Sequence, residues 1–313
     1  MTWVSERNFV SAISNAGGFG VIACGSMSPD LLKTEIQATQ TLTSKPFGVN
    51  LITLHPQLYE LIEVCIEEKV THVVLAGGLP AKEAIHKLKL GGIKVICFAP
   101  ALAIAKKLVR SQVDALIIEG HEAGGHIGPV STSVLAQEIL PKIREVPVFV
   151  AGGIGRGEAI VSYLKMGASG CQLGTRFVCA VECKAHPRFK QAYIRATARN
   201  AVVSPQLDPR FPVIPVRALE NKGMQAFAAY QREMITKVDR SELTLPEAQL
   251  QIEHYWAGAL RRAVIDGDIE YGSLMAGQSI GMVDKEETVQ EIVDTLITQA
   301  LNFLDHHIHA EAA

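Results

Sequence analysis

Aromatic residues make up only 6% of the 313, and the net charge is close to zero, at −2. So small a charge gives no electrostatic footing for nucleic acid or for an anionic membrane surface. No apolar run approaches the ~20 residues of a membrane span, and no signal-peptide pattern opens the chain. The six cysteines Cys24, Cys65, Cys97, Cys171, Cys179 and Cys183 lack C-x-x-C spacing, and several fall inside apolar runs. They are expected to be reduced core residues of a soluble, cytoplasmic protein rather than metal ligands or a disulfide framework. What is present is a hydrophobic share of 48%, mostly aliphatic, in a length that suits one α/β barrel with an added piece. Small neutral or weakly charged substrates fit this composition, with no nucleic acid and no membrane partner.

Short apolar runs alternate with helical patterns along the first half. The runs are Phe19 to Cys24, Phe47 to Ile52, His72 to Ala76, Lys94 to Ala99, Ala115 to Glu119, Pro147 to Ala151 and Gly170 to Gly174. Between them come segments such as Ser28–Pro29–Asp30–Leu31, where a serine N-cap and a proline at the first helical position open a helix. The roughly 20- to 30-residue spacing is that of βα units, so the fold expected is an α/β, TIM-type (β/α)8 barrel. Only seven strands are visible. Trp3 to Asn15 already reads as a helix, so the first strand is expected upstream of Met1.

Beyond Phe177 the strand rhythm stops. Residues 1–178 read as the barrel, 179–262 as a small helical cap, and 263–313 as a return segment with a C-terminal helix. Asp284 and Glu287 suggest a capping box for that helix. Its stripe Val289, Ile292, Val293, Leu296, Ile297, Ala300, Leu301 and Leu304 faces the core or a second copy of the chain, as a homodimer would need. His306, His307 and His309 in the tail read as solvated rather than metal-binding.

The chemistry concentrates in Glu119–Gly120–His121–Glu122–Ala123–Gly124–Gly125–His126–Ile127–Gly128, at the C-terminal end of a strand, where parallel α/β proteins place their sites. The glycine pair lets backbone approach a flat ligand, and the histidine after it can exchange a proton or donate to developing negative charge. His121, Glu122 and His126 resemble a ligand cluster, but the glycines hold neither histidine in a rigid frame, and no metal is expected. Two further glycine-rich ends, Gly152–Gly153–Ile154–Gly155–Arg156–Gly157–Glu158 and Gly174–Thr175–Arg176–Phe177, offer N–H groups to an anion, with the side chains of Thr175 and Arg176 as candidate further donors. Glycines also serve ordinary βα turns. Two such loops on adjacent strands, at the same barrel end as the histidine, point more strongly to a phosphate.

Taken together, Glu122–Ala123–Gly124–Gly125–His126, Asn15–Ala16–Gly17–Gly18, Gly48–Val49–Asn50, Ala151–Gly152–Gly153, Gly174–Thr175–Arg176–Phe177 and Met275–Ala276–Gly277–Gln278 resemble the nitronate monooxygenase (2-nitropropane dioxygenase) family. That family includes FMN-dependent enoyl-acyl-carrier-protein reductases. The resemblance implies an FMN barrel with the flavin ring near Asn50 and Gly124–Gly125–His126, and the phosphate between Gly152–Gly153 and Gly174–Thr175. It implies His126 as the active-site histidine and adds Met275, Gly277 and Gln278 to the cofactor surroundings. Family members have a first strand ending in a Gly-Gly-Met or Gly-Pro-Met turn at the flavin; here only Met1 onward matches, so flavin retention is expected to depend on that strand.

Three functions follow from the resemblance. The first is oxidation of alkyl nitronates with O2. The second is NAD(P)H-dependent enoyl reduction, which alone would bring an acyl carrier protein to the cap. The third is a truncated, non-catalytic barrel. The absence of a basic cluster for an acyl carrier favours the first.

Overall fold

Apolar strand faces on both sides of a sheet demand cover on both sides; helices returning between parallel strands cover the outer face, and the curl of the sheet packs the inner face against itself. The strands are β1 (Gly20–Ala23), β2 (Phe47–Ile52), β3 (His72–Ala76), β4 (Lys94–Phe98), β5 (Ala115–Glu119), β6 (Gly125–His126), β7 (Val148–Ala151), β8 (Gly170–Gln172), β9 (Ala201–Val203) and β10 (Val216–Leu219). The helices are α1 (Arg7–Asn15), α2 (Pro29–Leu42), α3 (Leu58–Glu67), α4 (Lys82–Leu90), α5 (Leu102–Arg110), α6 (Thr132–Ile139), α7 (Gly157–Lys165), α8 (Pro187–Arg195), α9 (Lys222–Asp239), α10 (Leu245–Arg261) and α11 (Val289–Glu311). This computed structural model describes residues 1–210 and 215–311, apart from the side chains of 250, 253, 254, 256, 257 and 307–311. The side chains of His307 and His309 are therefore not described, and residues 211–214, between β9 and β10, lie outside the described residues.

Seven parallel strands run in the order β1-β2-β3-β4-β5-β7-β8 and curl into a half-barrel of TIM type. Each expected run is a strand: β2, β3 and β5 keep the expected bounds, while β1, β4, β7 and β8 are shorter by one or two residues. β1 and β8 are the two edges. A second, antiparallel sheet, β6-β10-β9, was not anticipated. It ties the histidine stretch to a strand far along the chain.

The main core lies between sheet and outer helices, where Ile22, Leu32, Val49, Leu61, Leu75, Leu116 and Val150 are fully buried. A smaller inner cluster, Val74, Ile96, Ala115, Ile117 and Ala151, fills the concave face. α1, α8, the 274–283 stretch and α11 share another core around Phe9, Phe189, Tyr193 and Ile292. α9 and α10 close around Val216, Phe227, Met234 and Ile252.

Two local readings need correction. The first helix begins at Arg7, not Trp3, because Glu6 caps it by accepting from the N–H groups of Asn8 and Phe9, while Trp3 turns at φ 67°. The final helix is capped not by Asp284 but by Thr288, whose hydroxyl accepts from Glu291 N at 3.2 Å while its N–H donates to Glu291 Oε2 at 2.7 Å. Glu287 is turned inward to Arg176 instead, at 2.7 Å, with both side chains buried. Of the apolar stripe, Val289, Ile292 and Leu296 are buried, while Ile297 and Leu301 are exposed.

Candidate active site

Side chains alternate across a strand, so the inner cluster fixes which residues face the concavity. Asn50 is in register with Val74, and Glu119 and Gln172 are both in register with Ala151. Asn50, Glu119 and Gln172 therefore form a polar row on the inner wall, at the C-terminal mouth. Asn50 was expected there; the other two were not singled out. Asn50 Nδ2 donates to Val74 O at 3.3 Å, which fixes the amide plane.

Glu119 is the unusual member of this row. Burial pushes its carboxyl up to about 7, only partly opposed by the nearby amino group of Met1. A carboxyl held there carries its proton below neutral pH, titrates across neutrality and can give the proton up without a strong base.

The stretch that follows Glu119 is built as a closed loop. His121 N donates to Val130 O at 2.7 Å, and the His121 ring meets Gly128 O at 3.0 Å. Glu122 Oε2 accepts from Thr132 N at 2.8 Å and Thr132 Oγ1 at 2.9 Å, capping α6. Two of the three groups that resembled a metal cluster are thus spent on shaping the loop. His126 is exposed on β6, opposite Val216 of β10.

The return segment seats against this loop backbone to backbone. Gln278 N donates to Glu122 O at 2.9 Å. A Cβ on Gly124 would lie 2.5 Å from Gly277 N, and one on Gly277 would lie 2.8 Å from Glu122 O. These glycines are required by protein packing first. The Met275 side chain lies over Gly125, its Sδ 3.6 Å from where a Cβ would stand, and Met275 O accepts from the buried Tyr193 hydroxyl.

The ends of adjacent strands β7 and β8 carry the two glycine-rich turns expected to meet an anion. Gly152 and Gly153 take φ of 96° and 73°, a left-handed pair that side chains rarely adopt. Neither Gly153 nor Thr175 donates its N–H to a backbone carbonyl among the described residues. Thr175 Oγ1 accepts from Gly277 N at 2.9 Å, which leaves its hydroxyl proton to donate. At Gly174 a Cβ would meet only the Met1 side chain, Sδ at 3.4 Å and Cγ at 4.0 Å, so space is left beside it. The group of donors and this space fit a phosphate. Arg176, considered a donor from sequence, is not one: it points away into its buried pair with Glu287.

The glycine turns and Thr175 hydroxyl at β7 and β8, a polar inner wall at Asn50 and Glu119, and a histidine loop on the same mouth together would suit a flat, phosphorylated cofactor. A family model described as nitronate monooxygenase matches residues 1–299. The chain is 30% identical to the "(3aS,4S,5R,7aS)-5-hydroxy-7a-methyl-1-oxo-octahydro-1H-indene-4-carboxyl-CoA dehydrogenase" of Rhodococcus jostii, over 97% of this chain and 92% of that one. It is 28% identical to a probable nitronate monooxygenase of Staphylococcus saprophyticus, over 96% and 92%. Among solved structures, FabK from Thermotoga maritima matches with a TM-score of 0.87 and 36% identity, over 99% of this chain and 93% of that one.

Proposed function

The chain belongs to the nitronate monooxygenase family, a family of flavin-dependent oxidoreductases, and from that membership we propose that it binds FMN and uses NAD(P)H to reduce an α,β-unsaturated acyl thioester. The observation that carries this choice is Glu119. Reduction of a conjugated alkene adds a hydride to the β-carbon and a proton to the α-carbon, so a proton must be supplied at the mouth. Glu119, held up to about 7 on the inner wall, is a proton reservoir at that place. Oxidation of a nitronate starts from an anion and consumes no such proton. The 30% identity to a dehydrogenase named for a CoA thioester supports the same substrate class.

In this reading Gly153, Gly174 and Thr175 would hold the phosphate through N–H and O–H donors, and Asn50 and Gln172 would line the wall beside the ring. FMN, when bound, supplies the two-electron relay between nicotinamide and substrate. His126, exposed at the mouth, donates to the thioester carbonyl and stabilises the negative charge that develops on its oxygen. Glu119 delivers its proton to the α-carbon and is recharged from solvent, which closes the balance of one hydride and one proton per alkene.

Nitronate oxidation is the second reading, favoured by the family model's description and by the staphylococcal relative. There His126 would orient the anionic nitro oxygens. Anaerobic mixing separates the two. The FMN-loaded protein should bleach with NADPH or NADH and regain its colour on adding crotonyl-CoA. Bleaching by propyl-2-nitronate alone, with no response to either nicotinamide, would replace the first reading by the second.

A further inference from the structure

Arg217 stands in the middle of β10 and is buried to 3% exposure, yet no carboxylate lies within ion-pair distance of it among the described residues. A guanidinium removed from water costs several kcal/mol unless its donors are satisfied, and here carbonyls do that work. Arg217 Nε and Nη2 both donate to His121 O, at 3.2 and 3.0 Å, and Nη1 donates to Ala201 O at 2.6 Å. Burial lowers its pKa and the carboxylate of Glu122 raises it, but an arginine stays charged throughout. One side chain thus bridges the loop after β5 and strand β9.

The backbone repeats the same join. Arg217 is in register with Gly125 on one side and with Val203 on the other, and Ile127 N donates to Pro215 O at 3.0 Å. His126 belongs to the two-residue strand that forms one edge of this small sheet. A strand so short cannot fix its own place, because it contributes too few ladder bonds. A planar fork with two carbonyl targets in fixed directions supplies the missing constraint, which a lysine's single ammonium does not.

We propose that Arg217 is a positioning residue that locks the His121–Ile127 loop to strands β9 and β10, and so sets the placement of His126 over the substrate. The proposal rests on the reading of His126 as the group that meets substrate. It adds that the histidine's placement is controlled from the cap side, while the phosphate cradle at β7 and β8 is held independently.

The test uses Arg217→Lys and Arg217→Gln in the FMN-loaded full chain, with amide hydrogen exchange beside kinetics. Protection of residues 121–127 should fall in both variants while β3 stays protected. FMN affinity should hold within about threefold, and kcat should fall on the order of 10²-fold with little change in KM, the signature of a misplaced group. Unchanged protection of 121–127, or lost protection with unchanged kcat, would overturn the proposal. The exchange result does not depend on which substrate is turned over, so it stands even if crotonyl-CoA proves to be the wrong one. Should neither variant fold, native-state exchange of the wild type decides. Amides of Gly125 and Ile127 should open together with those of Val202 and Ala218 in one cooperative unit; opening of the loop apart from the cap strands would refute the clamp.

Discussion

Glu119 has a consequence for stability as well as for chemistry. Its folded-state pKa of about 7 lies above the ordinary 4.5, so the folded protein binds the extra proton in that window. Stability therefore falls as pH rises from about 4.5 to about 7, and the penalty, on the order of 3 kcal/mol, is fully felt above it. Glu119→Gln should melt close to wild type at pH 5 and higher than wild type at pH 8; a constant difference across that range would contradict the assignment. At Gly174 a Cβ meets only the flexible Met1 side chain, so Gly174→Asp should leave the melting temperature unchanged and weaken FMN by about 10²-fold or more through charge repulsion with the proposed phosphate. Gly153 is a poorer probe, since a Cβ there would stand 2.9 Å from that of Glu122 and strain the loop directly. His126→Ala should stay yellow and lose roughly 10²- to 10⁴-fold in kcat. His121→Ala should instead lose about 1 kcal/mol of stability with its ring contact to Gly128 O. Equal kinetic losses in the two would mean that the loop's shape, not His126, is what catalysis feels. The glycine pair and His126 stand out in the sequence because they follow closely on the apolar run of β5, and their roles at a flavin stand as proposals. Glu119 does not stand out, because its role depends on strand parity, which only the register with Ala151 reveals. Arg176 was misread for a similar reason: adjacency to Thr175 says nothing about a partner as distant in sequence as Glu287.

At the scale of elements, the βα units were readable from apolar runs alone, since a strand buried on both faces is written as an unbroken run. The β6-β10-β9 sheet was not readable. Gly125–His126 is too short to show any period, and Val216–Leu219 carries a buried arginine that breaks the apolar signal. The start of α11 was displaced for want of a tie-breaker, because Asp284–Glu287 and Thr288–Glu291 both satisfy the spacing of a capping box. The inward pull of Arg176 on Glu287 decides between them. Thr288→Ala should accordingly cost about 1 kcal/mol in denaturant unfolding, and Asp284→Ala close to nothing. The reverse order would restore the earlier start.

At the scale of the whole molecule, one mouth collects side chains from both ends of the chain. The half-barrel brings Asn50, Glu119 and Gln172 to its inner wall, the ends of β7 and β8 add the donors proposed to hold a phosphate, and the return segment pins the histidine loop from outside. The division into a barrel at 1–178, a cap at 179–262 and a return segment at 263–313 stands as a proposal. The separate core of α9 and α10 supports a cap, whereas α8 shares its core with α1 and α11. The central claim is that a flavin sits in this mouth and is held chiefly by its phosphate between the β7 and β8 loops. Titrating the flavin-free protein with FMN and with riboflavin, and following the quench of flavin fluorescence, tests it most directly. The account predicts saturation at about one FMN per chain and riboflavin binding weaker by about 10²-fold or more, the worth of charge-assisted contacts to a phosphate. Equal affinity for the two flavins, or no binding of FMN at all, would contradict it.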